Sequence, residues 1–277
     1  PGLGEFQLLD SHEHSTYNAL QVELRKTSAK YGLTFQASYA YSKELDDGDN
    51  VLNASSDSVL TQQDPFCWSC DKGPGTIDFP QNFSMDVIYD LPLGNWQALS
   101  HLPTRLTHGW EVAAIPSAIS GTAFSVYSPY PVAGYGRDTY YGTIPTRPDM
   151  VGKATLNSPS NYSSLMYFTP AVVQDGTTLN QQVFATPGGE ATGFQSQPGN
   201  LGRDTFRAPL QTDIDFSILK NTQITESKTL QFRAEFFNVF NLHSFDAPGA
   251  TLGVSNFGLF SGSSPGRVIQ FGLRFVF

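Results

Sequence analysis

Apolar and polar residues alternate with a period of two along several stretches of the chain. Between residues 82 and 91, for example, Phe83, Met85 and Val87 alternate with Ser84 and Asp86. Side chains of a β-strand point alternately to opposite faces, so this pattern predicts strands with one apolar and one polar face. The same alternation occurs at 20–25, 31–43, 213–218, 230–236 and 267–277, and a further strand is predicted at about 110–126.

The length of these stretches favours a membrane barrel over a soluble β-sandwich, which also alternates. Eleven residues at roughly 3.3 Å each, tilted by about 45°, cover about 25 Å, the height of an outer-membrane apolar band. Aromatic residues recur near the predicted strand ends, where an interfacial girdle would lie. The sequence therefore predicts an all-β fold, an antiparallel transmembrane β-barrel portion of about seven or eight strands. These aromatic residues are Tyr31, Tyr39, Tyr41, Tyr89 and Trp110.

Short and long connections alternate between the predicted strands. The shorter ones lie at 28–30, 92–107 and 223–228, and the long ones at about 44–77, 127–209 and 243–265. Outer-membrane barrels have short periplasmic turns and longer extracellular loops. We therefore expect the three long loops outside the cell and Phe277 on the periplasmic side.

Composition narrows the function classes. The chain has 16 Lys and Arg against 25 Asp and Glu, and its pI is near 4.9. Nothing in the sequence resembles a cluster of Lys and Arg that could neutralise phosphates, which argues against nucleic-acid binding. The longest uncharged run, 112–136, contains Pro116, Pro129 and Pro131 and is not a membrane helix. No secretory signal is visible at Pro1, which predicts a sequence that begins after cleavage or partway through a longer protein.

Several motifs, in order along the chain, carry a family resemblance. The run from Arg233 to Phe245 reads Arg-Ala-Glu-Phe-Phe-Asn-Val-Phe-Asn-Leu-His-Ser-Phe. It resembles the penultimate-strand signature of TonB-dependent outer-membrane receptors, particularly the Oar-like group with a carboxypeptidase-regulatory-like domain. Further segments that resemble this family lie at 17–22, 39–43, 80–83, 89–94, 109–124 and 199–204.

The end of the chain is similar to the assembly signal of outer-membrane proteins, through Gln270, Gly272, Phe275 and Phe277. The resemblance as a whole implies that residues 1–277 are the C-terminal part of a receptor barrel in the bacterial outer membrane. It implies outer-membrane lipid, the barrel-assembly machinery, a plug domain and TonB as partners, the last two through a missing N-terminal part. It also implies a small-molecule ligand, of the siderophore, oligosaccharide or peptide class, imported by TonB-coupled transport.

Seven predicted strands are an odd number, whereas bacterial single-chain barrels close with an even one. Either the remaining strands lie before Pro1, or residues 162–168 or 182–185 supply an eighth. A complete small barrel with a structural or adhesive role is therefore one alternative. A secreted soluble β-sandwich, either an enzyme or a binding module, is another.

Cys67 and Cys70 form a Cys-Trp-Ser-Cys motif in the first long loop. A redox motif would need a βαβ context, and a zinc site a second ligand pair, so a local disulfide is predicted. The run from Asp46 to Asn50 has oxygen ligands for Ca²⁺ but lacks EF-hand spacing, which favours a solvated acidic loop. His12 and His14, near the chain start, are not expected to bind a metal.

Five charged residues occupy the alternate, polar positions of the last three predicted strands. They are Asp213, Asp215, Arg233, Glu235 and Arg274. They are predicted to face the lumen of the barrel. There they either contact the plug or the substrate, or form ion pairs with one another across neighbouring strands. Nothing supports a shielded acid/base pair, a nucleophile elbow or a phosphate loop, so neither an enzyme nor a cofactor is expected. The loop at 127–209, rich in Tyr, Gly, Ser, Thr and Asn, is the predicted ligand-contacting element.

Overall fold

The computed structural model describes residues 13–28, 32–48, 63–64, 66–75, 77–132, 146–156, 167–169, 183–188 and 193–277. Seven long strands form one antiparallel sheet in which each strand pairs with its neighbours in chain order. This architecture confirms the predicted all-β, antiparallel fold class. The strands are β1 (Ser15–Ser28), β2 (Leu33–Asp46), β3 (Gln81–Leu91), β4 (Trp110–Ile119), β5 (Gln211–Thr225), β6 (Lys228–Phe237) and β7 (Val268–Val276).

The strand ends differ from the sequence prediction by a few residues. β4 ends at Ile119 instead of continuing to 126, because Phe124 pairs with Phe206 outside the large sheet. The β5–β6 turn is tighter than predicted, since Thr225 already pairs with Lys228. The three long connections accordingly span 47–80, 120–210 and 238–267.

The strand register places the polar positions of all seven strands on one continuous face. Glu235, for example, lies opposite both Ser217 of β5 and Gln270 of β7. The other face is apolar and exposed: Leu20, Phe271 and Leu273 have 63%, 68% and 71% of their surface accessible. A soluble sandwich buries such a face, whereas a membrane barrel turns it towards lipid.

The sheet is open. The outer edges of β1 and β7 have no strand partner among the described residues. Six antiparallel steps separate these strands, so they run in the same direction. Separately, no described helix has the length and apolar character needed to span a bilayer.

The long connections contain short elements that form a cap at the outward end of the sheet. Each of the short strands pairs with only one other. The prediction that 162–168 or 182–185 supplies an eighth wall strand is wrong where the structure describes them, because their described residues pair only within the cap. The short strands are Ala123–Phe124, Asp149–Met150, Thr155–Leu156, Phe168–Thr169, Phe184–Ala185 and Phe206–Arg207.

The helical elements among the described residues are each a single turn long. A 3₁₀ turn, Trp68–Asp71, lies in the first long connection. The connection between β3 and β4 contains two 3₁₀ turns, Leu93–Asn95 and Gln97–Leu99, and the α-helical turn Thr104–Thr107.

The hydrophobic core of the described structure lies in the cap and not behind the sheet. Phe168 is 2% exposed, and its ring centroid lies 5.1 Å from that of Phe206 and 5.7 Å from that of Phe184. Aromatic rings in these arrangements combine a large buried area with favourable edge-to-face geometry. The core residues are Phe124, Val126, Tyr167, Phe168, Val183, Phe184, Leu201, Phe206, Leu252, Phe257 and Phe260.

Three arginines of the second long connection pair with two aspartates of the first connection and with the aspartate that ends β2. Arg147 pairs with Asp71 at 2.5 Å, Arg203 pairs with Asp46, and Arg207 pairs with Asp78. We call these three ion pairs the arginine clamp. The side chains of Arg147 and Asp71 are only 5% and 4% exposed, so this pair is buried.

Hydrogen bonds between the charged side chains of the arginine clamp and the backbone add to the three ion pairs. The Arg147 Nε donates to the Leu201 carbonyl at 2.8 Å, and the Arg203 Nε donates to the Asp71 carbonyl at 2.8 Å. The Gln63 backbone N–H donates to the Asp71 carboxylate at 2.9 Å. These bonds, together with the ion pair between the Asp71 Oδ1 and Arg147, compensate charges that would otherwise be buried at high cost.

A charge on the apolar face is expected to destabilise the protein. Leu273→Arg should cost roughly 2–4 kcal/mol at mid-bilayer depth and impair assembly. The matched control is Ser217→Arg, which places the same side chain on the polar face opposite Glu235. Urea unfolding of the full chain in lipid vesicles measures both, and equal stability of the two variants would contradict the assignment of faces.

Breaking the buried pair of the arginine clamp is expected to release the first long connection. Arg147→Met leaves the Asp71 carboxylate buried without its cation, a loss of about 3–5 kcal/mol. Hydrogen exchange at the Gln63 amide should accelerate on the order of a hundredfold or more.

Arg233→Gln is the control, because its pair with Glu235 is partly exposed and contributes roughly 0–1 kcal/mol. Asp71→Asn combined with Arg147→Met should restore part of the protection, since the charge is removed. Exchange at Gln63 that stays slow in Arg147→Met would contradict this role of the clamp.

Candidate functional site

The polar face of the sheet is strongly acidic. Among its described positions it carries nine carboxylates and three guanidinium groups on one side of the sheet. Glu44 and Asp46 are buried at the cap, and Asp46 is paired with Arg203, so seven carboxylates remain at the surface of this face. A surface of one dominant sign raises the local concentration of oppositely charged solutes. The acidic residues are Glu23, Glu44, Asp46, Asp86, Asp90, Glu111, Asp213, Asp215 and Glu235, and the basic ones are Arg25, Arg233 and Arg274.

A cavity of about 360 Å³ lies on this face, at the outward ends of β4 to β7. Ser117 lies on its β4 side and Phe237 on its β6 side, while Asp213 and Asp215 of β5 line it in between. The third long connection contributes Ser244 and Ser264. We call this cavity the acidic groove.

The two carboxylates of the acidic groove are held by backbone amides. Asp215 accepts a hydrogen bond from the Asn238 N–H at 2.9 Å, and Asp213 accepts one from the Ile214 N–H at 2.9 Å. Neither forms a salt bridge with any residue that the structure describes. Carboxylate oxygens therefore remain available at the groove for a ligand that donates hydrogen bonds or carries positive charge.

A turn that the sequence prediction did not single out supports the acidic groove. The Asn238 side chain accepts from the Leu242 N–H at 2.7 Å and donates to the carbonyls of Leu242 and Pro265. Its φ of 50° lies in the left-handed region, where Asn is favoured over other non-glycine residues. The sequence signal for this turn is the pair of asparagines in the Phe-Asn-Val-Phe-Asn motif, since the second of them, Asn241, also has a positive φ, of 52°.

The third long connection is bonded to β5 beside the groove. The Thr212 N–H donates to the Ser244 Oγ at 2.9 Å, and the Ser244 N–H donates to the Ser264 Oγ at 3.1 Å. These bonds join the start of β5 to both ends of the third connection. The groove is thus built from residues that are far apart in sequence.

The five charged residues predicted to share the polar face do so, but they are not one cluster. Arg233 and Glu235 pair with each other at 3.3 Å along one strand, and Arg274 lies further towards the inner end. The alternative of ion pairs across strands is wrong for the described residues. Its physical reason is the register, which sets neutral residues opposite each charge: Ser217 and Gln270 opposite Glu235, Leu219 and Gly272 opposite Arg233, and Gln231 opposite Arg274.

The residues of the predicted assembly signal lie in or next to β7. Gln270 and Gly272 are on the polar face, whereas Phe275 is on the apolar face and its ring stacks with that of Phe277 at a centroid distance of 6.2 Å. All four residues are exposed. Their recognition by the assembly machinery stays a prediction.

The sulfur atoms of Cys67 and Cys70 are bonded to each other in the structure. Cys67 precedes the 3₁₀ turn Trp68–Asp71 and Cys70 lies within it, and the Cys70 carbonyl accepts a hydrogen bond from Arg147 at 3.3 Å. The disulfide therefore lies beside the arginine clamp, in the cap.

The first residue of the acidic loop predicted at 46–50 is not solvated. Asp46 is 6% exposed because it pairs with Arg203, so at this residue the expectation of a solvated carboxylate is wrong. His14 lies 3.6 Å from Asp47, while His12, Asp49 and Asn50 are outside the described residues. The described part of the chain contains no group of three or more His, Cys, Asp or Glu that could hold a metal ion.

A family model described as an outer membrane beta barrel domain matches residues 1–270. No curated protein matches the chain. No solved structure matches it either.

Removing the Asn238 side chain is expected to loosen the third long connection over the groove. Asn238→Ala loses three hydrogen bonds of about 0.5–1.5 kcal/mol each. Alanine is also less favourable than asparagine at positive φ, because it lacks the local side-chain hydrogen bonds. Protease cleavage within 238–267 of the vesicle-embedded protein should accelerate. Asn238→Gly is the control that keeps the backbone conformation accessible and should cleave more slowly than Asn238→Ala; equal resistance of Asn238→Ala and the parent protein would contradict this role.

Proposed function

The chain belongs to the outer membrane β-barrel domain family, and from that premise we propose that it supplies part of the wall and the outward cap of a TonB-coupled import receptor. In this proposal the acidic groove and the cap contact a scarce nutrient outside the cell. A plug domain, moved through TonB, then admits the nutrient through the lumen. The observation that carries the proposal is the continuous acidic face of the sheet, with the acidic groove at its outward end.

The open sheet supports a barrel with more strands than seven. Unpaired backbone groups cost several kcal/mol each in hydrocarbon, so the edges of β1 and β7 need strand partners in the membrane. β1 and β7 run in the same direction, and an even-numbered antiparallel barrel does not pair such strands directly. Further strands between them would suit the large barrels of about 22 strands that enclose a plug.

The acidic groove suggests the chemistry of the nutrient. Asp213 and Asp215 favour ammonium or guanidinium groups and multiple hydroxyls, as in a peptide N-terminus, a basic side chain or an oligosaccharide. Phe237 adds an aromatic surface at the same cavity. The groove is acidic, so an anionic ligand fits it poorly.

A complete small barrel with a structural or adhesive role is the second candidate. The disulfide-bonded cap is the observation that favours it, because such a surface suits adhesion as well as capture. A barrel of about eight strands is filled by its own side chains and carries no transport path. The soluble β-sandwich is not retained, because the family is one of outer-membrane barrels and the apolar face is exposed.

Conductance through the full-length protein in a planar lipid bilayer distinguishes the two barrels. A large plugged barrel should conduct little at first and should open when mild urea unfolds the plug but leaves the strands folded. A barrel that stays closed in urea, while its strands remain folded by circular dichroism, would contradict the receptor and favour the small barrel.

An uptake experiment in cells tests the coupling to TonB. A ⁵⁵Fe-siderophore, a ¹⁴C-maltooligosaccharide and a ¹⁴C-lysine tripeptide are the probes, and expression of the protein should increase the accumulation of one of them. This increase should disappear in cells that lack TonB and should decline in the Asp213→Asn, Asp215→Asn variant. Arg233→Gln is the matched control on the same face; accumulation that persists without TonB would contradict the coupling.

A further inference from the structure

The connection between β3 and β4, Pro92–Gly109, is the longest of those at the inner end of the sheet. The other two inner connections, 29–32 and 226–227, have four and two residues. Its backbone forms three consecutive single turns and does not extend away from the sheet. We call it the inner connection.

The inner connection folds back against the apolar face. The register places Trp110 and Lys220 opposite each other on that face. The Lys220 Nζ donates to the carbonyls of Arg105 at 2.9 Å and His108 at 2.5 Å, and the Trp110 Nε1 donates to the Leu106 carbonyl at 2.7 Å. These three hydrogen bonds join the last turn of the inner connection, and the residue after it, to the side of the sheet that carries the exposed apolar residues.

Two further contacts determine the same placement. The Arg105 guanidinium donates to the Ile224 carbonyl at 3.3 Å, near the inner end of β5. Gly109 has a φ of 76°, and a Cβ at this position would meet the Asn221 carbonyl at 2.3 Å. A glycine is therefore required where the chain turns onto the sheet.

This arrangement shields a lysine on a lipid-facing strand. Lys220 is 8% exposed, and its ammonium lies 5.5 Å from the centroid of the Trp110 ring as well as against the carbonyls of Arg105, His108 and Asn221. An uncovered lysine at this position would meet the membrane with its charge. Carbonyl oxygens and an aromatic ring both compensate an ammonium, so the inner connection covers the charge and satisfies it.

The outer surface of the inner connection is apolar and aromatic. Trp96, Leu102 and Leu106 are 52%, 39% and 59% exposed, although each is a large hydrophobic residue. Its ionisable residues are His101, Arg105 and His108, and it contains no Asp or Glu. Exposed Trp and Leu beside basic residues are typical of segments that lie at the membrane–water interface.

We propose that the inner connection is an interfacial foot that inserts Trp96, Leu102 and Leu106 among the phospholipids of the periplasmic leaflet. The occupant is lipid because this surface continues the lipid-facing side of the sheet, to which Lys220 and Trp110 attach it. Arg105 and the two histidines lie at the depth of the phosphate groups, where basic side chains are favoured. The foot gives the barrel wall a second contact with the membrane beyond its strands.

Cysteine labelling of the full-length protein tests the placement. The protein carries Leu106→Cys and is reconstituted into vesicles of phosphatidylethanolamine and phosphatidylglycerol, with a membrane-impermeant maleimide present on both sides. Ser227→Cys is the matched control, because it is an exposed residue in the two-residue turn at the same end of the sheet. Labelling at position 106 should be at least about tenfold slower than at position 227, since acyl chains cover it.

Equal labelling rates would overturn the proposal and indicate a water-exposed surface open to a periplasmic protein. Protection at position 106 cannot come from the residues that the structure describes, because more than half of Leu106 is accessible among them. Protection by another part of the full-length protein would leave Trp96 unquenched by brominated lipid. Lys220→Met in the Leu106→Cys background removes the donor that holds the foot. Labelling at 106 should then rise towards that at 227, and unchanged protection would contradict the role of Lys220.

Tryptophan fluorescence supplies an independent readout. The emission that is lost in Trp96→Phe, relative to the parent protein, reports Trp96 alone. It should be quenched by lipids brominated near the headgroup and protected from iodide in solution. Quenching by iodide without quenching by brominated lipid would overturn the proposal even if Leu106→Cys failed to assemble.

Discussion

The structure depends on one constraint: a backbone that crosses hydrocarbon must satisfy its N–H and C=O groups within the protein. The seven strands meet it with a continuous antiparallel ladder in chain order. Once the ladder is set, alternating side chains must divide between lipid and lumen. The exposed Leu273 and the acidic Asp215 are therefore consequences of the same ladder, on opposite faces.

The hydrophobic effect operates here in two places with opposite geometry. In the sheet it turns apolar side chains outward, because the surroundings are lipid. In the cap it drives aromatic residues such as Phe168 and Phe184 into a closed core, because the surroundings are water. The arginine clamp stabilises the position of this core over the strand ends, since buried charges such as Asp71 are tolerated only with their partners.

Parity along each strand was enough to predict which charges share the polar face. It could not predict that Asp213 and Asp215 line a groove while Arg233 and Glu235 pair with each other, because depth and neighbours depend on register. Ser244 and Asn238, which line the acidic groove, were missed as site residues. Their contacts with Thr212 and Asp215 join segments more than twenty residues apart, and no local pattern encodes such pairs.

The sequence by itself determined the strands, their two faces and the membrane setting, because each follows from a period of two repeated over about ten residues. It also predicted the pairing of Cys67 with Cys70, three residues apart, which the structure contains. Only the tertiary structure decided how the long connections pack, which arginine meets which aspartate, and that the inner connection folds onto the apolar face. Those outcomes depend on contacts such as that of Lys220 with His108, 112 residues apart, which arise only when the strands have aligned.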